Sequence, residues 1–361
     1  MKNTHIWLRA ETKPLEQRTA LTPAGAKTLL DAGLRVTVEH SPQNIFPIDD
    51  YRALGCAVAE PESWRDAPRD AFILGLKELP NDSFPLEHRH IYFAHVYKGQ
   101  AGAEDVLRRY VEGGGTLYDL EFLTRDDGRR AAAFGYWAGF AGAALGVLDW
   151  AARASAGQEA LEPVVLLPSK DDLLAMVSAA LEQTARKPRV MIMGARGRGG
   201  SGAVHLAKSA GLETIEWDIE ETRAGGPFAA IIDTDIFVNC VLVASALPPF
   251  VTRELLARKE RRLAVIVDVS CDPYGPHNPL PIYERCTSLE EPALEIIGGP
   301  NPLDLIAIDN LPSLLPRESS DDFGEQLVPS IAALADPDSG MWRRVHDIFL
   351  EQTRHLRNED E

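Results

Sequence analysis

Short apolar runs alternate with amphipathic stretches along most of the chain. Five runs in the first third, HIWLR (5–9), RVTVEH (35–40), AFILGLK (71–77), IYFAH (91–95) and TLYDLE (116–121), are rich in β-branched, aromatic and aliphatic residues and have strand length. Between them, TPAGAKTLLDAG (22–33) reads as a helix with Thr22 as N-cap, Pro23 at its first position and Gly33 beyond its last turn. AGAEDVLRRYVEGG (101–114) reads as a second helix, stopped by glycines. Strand alternating with helix implies a mostly parallel sheet covered on both faces. After a linker containing Pro and Glu (157–168) the alternation resumes with RVMIMG (189–194), ETIEWD (213–218), DIFVNCV (235–241), LAVIVDVS (263–270) and LEIIGG (294–299). The fold expected is α/β, with two doubly wound domains and a cleft between them. The C-terminal stretches EQLVPSIAAL and GMWRRVHDIFLEQTRHL read as helices, the second with Met341, Val345, Ile348, Phe349 and Leu356 near helical period.

One stretch, 131–148, carries no charge. Its Ala and Gly content, with Gly135, Gly139, Gly142 and Gly146 at spacings of three and four and Asp149 directly after it, makes a poor bilayer span. It predicts a long helix buried between two domains, its small residues admitting a close neighbour. At 361 residues the chain is long enough for two or three domains. Its 37 Lys and Arg against 54 Asp and Glu leave a formal charge of −17, a field that repels phosphate backbones and anionic lipid. Neither nucleic acid nor membrane is an expected partner. Cys56, Cys240, Cys271 and Cys286 stand apart without any CxxC, so neither a zinc site nor a disulfide framework is expected, and a reducing, cytoplasmic setting suits them. The opening residues lack the apolar core of a signal peptide. His88 and His90, in an HRH triplet, read as surface loop with no metal role.

The head of the second series, RVMIMGARGRGGSGAVHLAKSAG, presents a buried run, then Gly197, Gly199 and Gly202 in G-x-G-x-x-G order, then a helix. Such glycines make a tight turn and let backbone amides approach a pyrophosphate at a helix N-terminus. The next run ends in Asp218, about 20 residues on, where a carboxylate accepts from ribose hydroxyls and repels a 2′-phosphate. NAD is therefore expected in preference to NADP. The bland alternative is a structural turn with Asp218 as a helix cap. Arg196 and Arg198 stand ready to offset phosphate charge.

In the first series two neighbouring runs end in titratable groups, Lys77 and His95, at the carboxyl ends where open parallel sheets bind ligands. Taken singly, Lys77 reads as a solvated strand end and His95 as a satisfied histidine near a core; held together, each charge lowers the other's proton affinity, which suits acid–base work. Arg18, Arg129 and Arg130 can grip carboxylates in bidentate fashion; the bland alternative for these is surface charge.

The stretches LRAETKPLEQRTALTP, ILGLKELP, FAHVYKGQAG, GTLYDLEFL, GRRAAAFGYWAGFAGAALGV, GARGRGGSGA, DIFVNC, DVSCDPYGPHNPLPIY and IDNLPSLLPRESS resemble, in order and over nearly the whole chain, those of the NAD-dependent, lysine-forming saccharopine dehydrogenases. The resemblance implies two Rossmann-like domains related to alanine dehydrogenase and transhydrogenase: a substrate domain of 1–133 plus 318–361 and a dinucleotide domain of 134–317. It implies oxidation of saccharopine to L-lysine and 2-oxoglutarate, reversibly, with NAD as cofactor and no metal. Lys77 and His95 are then the acid–base pair. Arg18, Glu121, Arg129, Arg130, Phe134, Ser270, Cys271 and Asp272 border the substrate, with Arg18, Lys77, His95 and Arg129 as a cationic cluster for its carboxylates. Gln100, Gly197, Arg198, Gly199, Gly202, Asp218, Thr222, Val241, Leu242, Val269, Ile308, Asp309 and Leu311 border NAD. Gly199 departs from relatives that carry a cysteine there, near one matching Cys240, so no disulfide forms at that place. An alanine-dehydrogenase-like activity on ammonia and a small keto acid, and a catalytically silent NAD sensor, are the rival readings.

Overall fold

The computed structural model describes residues 4–155, 161–243, 245–335, 337 and 340–357. Part of the expected linker (157–160) lies outside the described residues. The chain divides into two compact units, Met1–Ala133 with Ser319–Glu361, and Phe134–Glu318.

The first unit contains β1 (His5–Leu8), α1 (Pro23–Asp31), β2 (Arg35–Glu39), α2 (Ile48–Ala53), β3 (Ala57–Ala59), β4 (Phe72–Leu74), β5 (Arg89–Tyr92), α3 (Ala103–Gly113) and β6 (Thr116–Asp119). Its strands pair in parallel in the order β3-β2-β1-β4-β5-β6. α1 starts as its sequence dictates: the Thr22 hydroxyl caps the Gly25 amide at 3.2 Å, and Pro23 occupies the first turn. One strand is displaced from expectation. The apolar run ending at His95 is a strand only to Tyr92, and the HRH triplet is not a surface loop. Arg89 and His90 belong to β5, and His88 and His90 are buried. A parallel strand is covered on both faces, so alternate residues point into two packed layers. On one face the His90 ring meets Trp64 and Tyr110 edge-on, and on the other the Arg89 guanidinium lies 4.0 Å from the centre of the Phe72 ring. A hydrophobicity pattern scores those residues as polar and starts the strand two residues late.

The second unit contains α4 (Gly135–Ala154), α5 (Lys170–Glu182), β7 (Arg189–Met193), α6 (Arg198–Ser209), β8 (Glu213–Trp217), α7 (Ile219–Thr222), α8 (Ala229–Ile232), β9 (Ile236–Asn239), α9 (Arg253–Leu256), β10 (Val265–Asp268), β11 (Leu294–Ile297) and β12 (Leu303–Ile306). Its sheet runs β11-β12-β10-β9-β7-β8, parallel except for the edge strand β11, which pairs antiparallel to β12. Alternate β7 residues feed two cores. Val190 and Ile192 pack with α4, α5 and α6, while Met191 and Met193 pack with Phe237, Phe250 and Ile266. α10 (Pro316–Ala332) begins in this unit and continues into the first, where α11 (Gly340–Gln352) and α12 (Arg354–Arg357) place Phe349 and Leu356 against Tyr110 and Trp64.

The uncharged stretch forms α4, and no described helix is long and apolar enough to cross a membrane. Its glycines divide between two neighbours. A Cβ on Gly139 would lie 1.7 Å from the Gly199 carbonyl of α6, and one on Gly146 would lie 2.6 Å from Val267 of β10. Only glycine allows both approaches.

Candidate functional site

In the first unit β1 lies between β2 and β4, so the connections leaving β1 and β4 diverge and open a crevice at the strands' carboxyl ends. Lys77 lies just beyond β4, and its backbone is pinned to the loop after β1. The Glu11 carboxylate accepts from the amides of Leu76 at 2.7 Å and Lys77 at 3.0 Å, and the Arg9 guanidinium donates to the Lys77 carbonyl. Arg18, in the same loop, donates from Nε and Nη2 to both oxygens of Glu16 at 2.8 and 2.6 Å, with both side chains buried. Burial raises the Glu16 carboxyl, but the Arg18 bonds and the Lys77 charge outweigh it and hold the group below its ordinary range.

His95 lies past β5 in a left-handed backbone conformation (φ +51°). Its Nδ1 is 2.6 Å from Oε1 of Glu78, the residue after Lys77, and the other Glu78 oxygen accepts from Lys13 Nζ at 2.6 Å. Burial raises the Glu78 carboxyl; the His95 and Lys13 bonds overcome this and hold it far below the usual carboxylate range. Asp119, the last residue of β6, is fully buried, and burial pushes its carboxyl up to about 6 against the opposing effects of a bond from the Glu121 amide and the His95 charge.

The structure thus brings Lys77, His95, Arg18 and four carboxylates, Glu11, Glu16, Glu78 and Asp119, to one end of one sheet. A purely cationic cluster is not what forms, because a buried cation needs a partner. Arg129 stands apart, its side chain 83% exposed with Asp127 4.0 Å away. Arg130 and Lys98 both reach the Glu121 carboxylate, at 2.8 and 3.5 Å. Gln100 lies in this unit and accepts from the Lys98 amide. Sequence reasoning marked none of the four carboxylates Glu11, Glu16, Glu78 and Asp119. A signal for Asp119 was present, since it is a carboxylate inside the run 116–121 read as a strand.

In the second unit β7 lies between β8 and β9, and the glycine turn leaves β7 at that switch point. Gly197 is the N-cap of α6, and Arg198 is its first residue. A Cβ on Gly202 would lie 1.9 Å from the Tyr136 carbonyl of α4, and one on Gly200 would lie 1.9 Å from the Gly194 carbonyl. Gly199 lies beside Cys240, whose Sγ would be 3.5 Å from a Cβ there. Asp218 is a helix cap and also reaches the turn: one oxygen accepts from Ile219 N and the other from Arg196 N, both at 2.8 Å. Glu221 closes a capping box on the Asp218 amide, and the Thr222 hydroxyl donates to the Asp218 carbonyl. The arrangement fits a dinucleotide: a closed cradle of glycine backbone before a helix N-terminus, with a carboxylate tied to its lip.

Val241 follows β9 beside Gly194, and Leu242 is 69% exposed. Val269 and Leu311 pack on Gly142 of α4, and Ile308 is buried, so these three contribute shape from the core side. Asp309 is exposed. Phe134 is the N-cap of α4. After β10 the Ser270 hydroxyl donates to Asp268 Oδ1 at 2.6 Å, the Asn239 amide donates to the same oxygen at 3.0 Å, and Tyr283 donates to Oδ2 at 2.7 Å. Asp272 is exposed with its carboxylate against Gly275. Asn239, Asp268 and Tyr283 carry no sequence motif that would have marked them.

Residues 7–141 match the family model for the alanine dehydrogenase/PNT N-terminal domain, and residues 228–352 match that for the corresponding C-terminal domain. The chain is 49% identical over 372 residues to the saccharopine dehydrogenase [NAD(+), L-lysine-forming] of Emericella nidulans, covering 99% of both chains. It is 47% identical to that of Schizosaccharomyces pombe, covering 98% of this chain and 99% of the relative. Among solved structures an L-alanine dehydrogenase superposes with a TM-score of 0.65 at 19% identity, over 98% of this chain and 100% of that one. A transhydrogenase from Sinorhizobium meliloti superposes with a TM-score of 0.64 at 16% identity, over 94% and 96%. These two likenesses concern the fold.

Proposed function

The chain belongs to the family of NAD-dependent, L-lysine-forming saccharopine dehydrogenases, and on that premise we propose that it interconverts saccharopine with L-lysine and 2-oxoglutarate. The observation that carries this reading is identity approaching one half along nearly the full length of both chains. When bound, NAD supplies the hydride acceptor. The glycine turn from Gly194 to Gly202 and Asp218 would hold it, and the carboxylate favours it over NADP.

The protein's own contribution is proton handling and orientation. The secondary amine must be neutral before its α-carbon can be oxidised, and the lysine nitrogen must regain a proton when it departs, so one base and one acid suffice. Lys77 and His95 take those roles. Support comes from their common position at the carboxyl end of one parallel sheet and from the Glu78 bridge between their loops. A carboxylate only accepts, so Nδ1 of His95 carries the proton in that bond and Nε2 is left to exchange one with substrate. Arg18, held rigid by Glu16, and Arg130, held by Glu121, are the guanidinium groups proposed to receive substrate carboxylates. Ser270, Cys271 and Asp272 border the substrate in the same reading. The acid–base role belongs to the first unit and the dinucleotide role to the second. A cytoplasmic location is part of the same reading; recovery in an organelle pellet after cell fractionation would contradict it.

Initial rates with NADH test the activity. Oxidation of NADH with lysine plus 2-oxoglutarate is the expected result. Turnover only with pyruvate plus ammonia would make the protein an alanine dehydrogenase, and NADH binding without turnover on either pair would make it a sensor.

A further inference from the structure

Cys271 and Cys286 lie 15 residues apart in the chain, yet their sulfur atoms stand 3.1 Å apart, only about 1 Å more than the ~2.05 Å of a sulfur–sulfur bond. Both residues are half-buried, so the pair is held without being sealed from solvent. The chain is constrained to bring them together. Cys271 has φ +44°, a left-handed conformation uncommon for any residue but glycine, and its thiol also meets the Ala307 carbonyl at 3.1 Å. The residue after Cys286 grips the same place. Thr287 donates its amide to the Ala307 carbonyl at 2.7 Å, and its hydroxyl accepts from the Ala307 amide at 2.9 Å. The turn after β10 and the segment at Cys286 are thus moored to one residue just beyond β12.

We propose that Cys271 and Cys286 form a reversible disulfide, a redox-modification site that locks the Ser270–Asp272 turn against the segment from Ala307 to Asp309. In the forming reaction a deprotonated cysteine attacks one sulfur of a small neutral disulfide, RSSR, expelling a thiolate that takes up the cysteine's proton. The second cysteine attacks the mixed disulfide and expels the other thiol in the same way. Two S–H bonds and one RS–SR bond break, one protein S–S bond and two R–SH bonds form, and two electrons pass from the cysteines to the reagent. Burial, the Cys286 sulfur and the charges of Asp268 and Asp309 all push the Cys271 thiol upward. Reduced Cys271 therefore gains little from thiolate stabilisation, which favours the disulfide. The same acidic surroundings select a neutral reagent over an anionic one. Because Ser270 shares the Asp268 carboxylate with Asn239, closing the bond pulls on the turn that the proposed function assigns to substrate. That consequence for turnover is the one part of the inference that rests on the proposed function.

The test incubates the full chain in mixtures of 2-mercaptoethanol and 2-hydroxyethyl disulfide of increasing oxidised fraction, blocks free thiols with N-ethylmaleimide in denaturant, and digests with trypsin. Cleavage after Arg262, Arg285 and Arg317 puts the two cysteines on separate peptides, 263–285 and 286–317. A linked species of these two peptides is expected, with Cys56 and Cys240 carrying maleimide. Turnover should fall severalfold with the same midpoint and return on reduction, whereas Cys286→Ser should match the reduced parent in turnover and ignore the oxidant. Absence of the linked species at every ratio, or mercaptoethanol adducts in its place, overturns the disulfide. Linkage with unchanged turnover in a protein that does turn over lysine and 2-oxoglutarate overturns the lock. A protein inactive on those substrates refutes the proposed function, and the peptide readout still decides the disulfide.

Discussion

At His95 the Glu78 carboxylate fixes both the orientation of the ring and the nitrogen that holds its proton. If Lys77 and His95 act as base and acid, Lys77→Met and His95→Gln each lower kcat by roughly 10²- to 10⁴-fold with NADH affinity little changed. The double variant loses less than the product of the single losses, because groups acting as one unit are not additive. Steady-state kinetics and NADH titration check this; a raised KM with near-normal kcat would reassign Lys77 to carboxylate binding. Glu78→Gln offers the ring an amide and should lower kcat while shifting the pH profile, a change that loss of packing alone would not produce. In the second unit Asp218 holds the glycine turn, and the proposed function gives it the ribose hydroxyls as well. Asp218→Ser should therefore weaken NADH binding and narrow the NADH preference. Equal efficiency of the unaltered protein with NADH and NADPH would contradict the assignment.

The decisive element is the crossing of α4 and α6. A Cβ at Gly139 would overlap the Gly199 carbonyl, which belongs to backbone and cannot swing aside. Gly139→Ala must push the helices apart, at a cost of about 1–3 kcal/mol or more by the usual measure of overpacking. Because Gly199 lies in the proposed cradle, NADH affinity should fall in the same variant. An unchanged urea midpoint together with unchanged affinity would show that the crossing yields without strain. By contrast the helix signals in α1 are local, and Thr22 and Pro23 were readable as cap and first residue because each acts within its own turn.

Over the whole molecule, five buried or half-buried carboxylates fall into two sets with opposite pH dependence. Glu16, Glu78 and Asp235 are paired with cations or His95 and lie below their ordinary range, so their stabilisation is present above about pH 4 and is lost as the pH falls further. Asp119 is pushed up to about 6 by burial, and Asp149 is raised well above the ordinary range by burial and by the charge of Asp304. These two keep a proton in the folded protein that the unfolded chain releases near pH 4, so their effect is to reduce stability as the pH rises toward neutrality. Asp149→Asn keeps an acceptor for the Leu161 amide and removes the charge. Its thermal midpoint should fall less than the parent's between pH 5 and pH 8, the difference corresponding to about 1–3 kcal/mol. Parallel midpoints across that range would remove Asp149 from the account.

The amino-acid sequence by itself determined the alternation of strand and helix, the glycine turn with Asp218, the buried character of α4, and Lys77 and His95 as candidates, because each signal lies within one element or at its end. It placed the start of β5 two residues late, because His90 and Arg89 pack against rings from other elements, and it did not determine the direction of the edge strand β11, which depends on its neighbour. It did not show that Arg18 and His95 face Glu16 and Glu78, because which charges meet depends on how loops close over a sheet. Cys271 and Cys286 make the distinction plainest. Along the chain they are scattered thiols without a motif, and only the common anchorage of their segments on Ala307 brings the two sulfurs within reach of a bond.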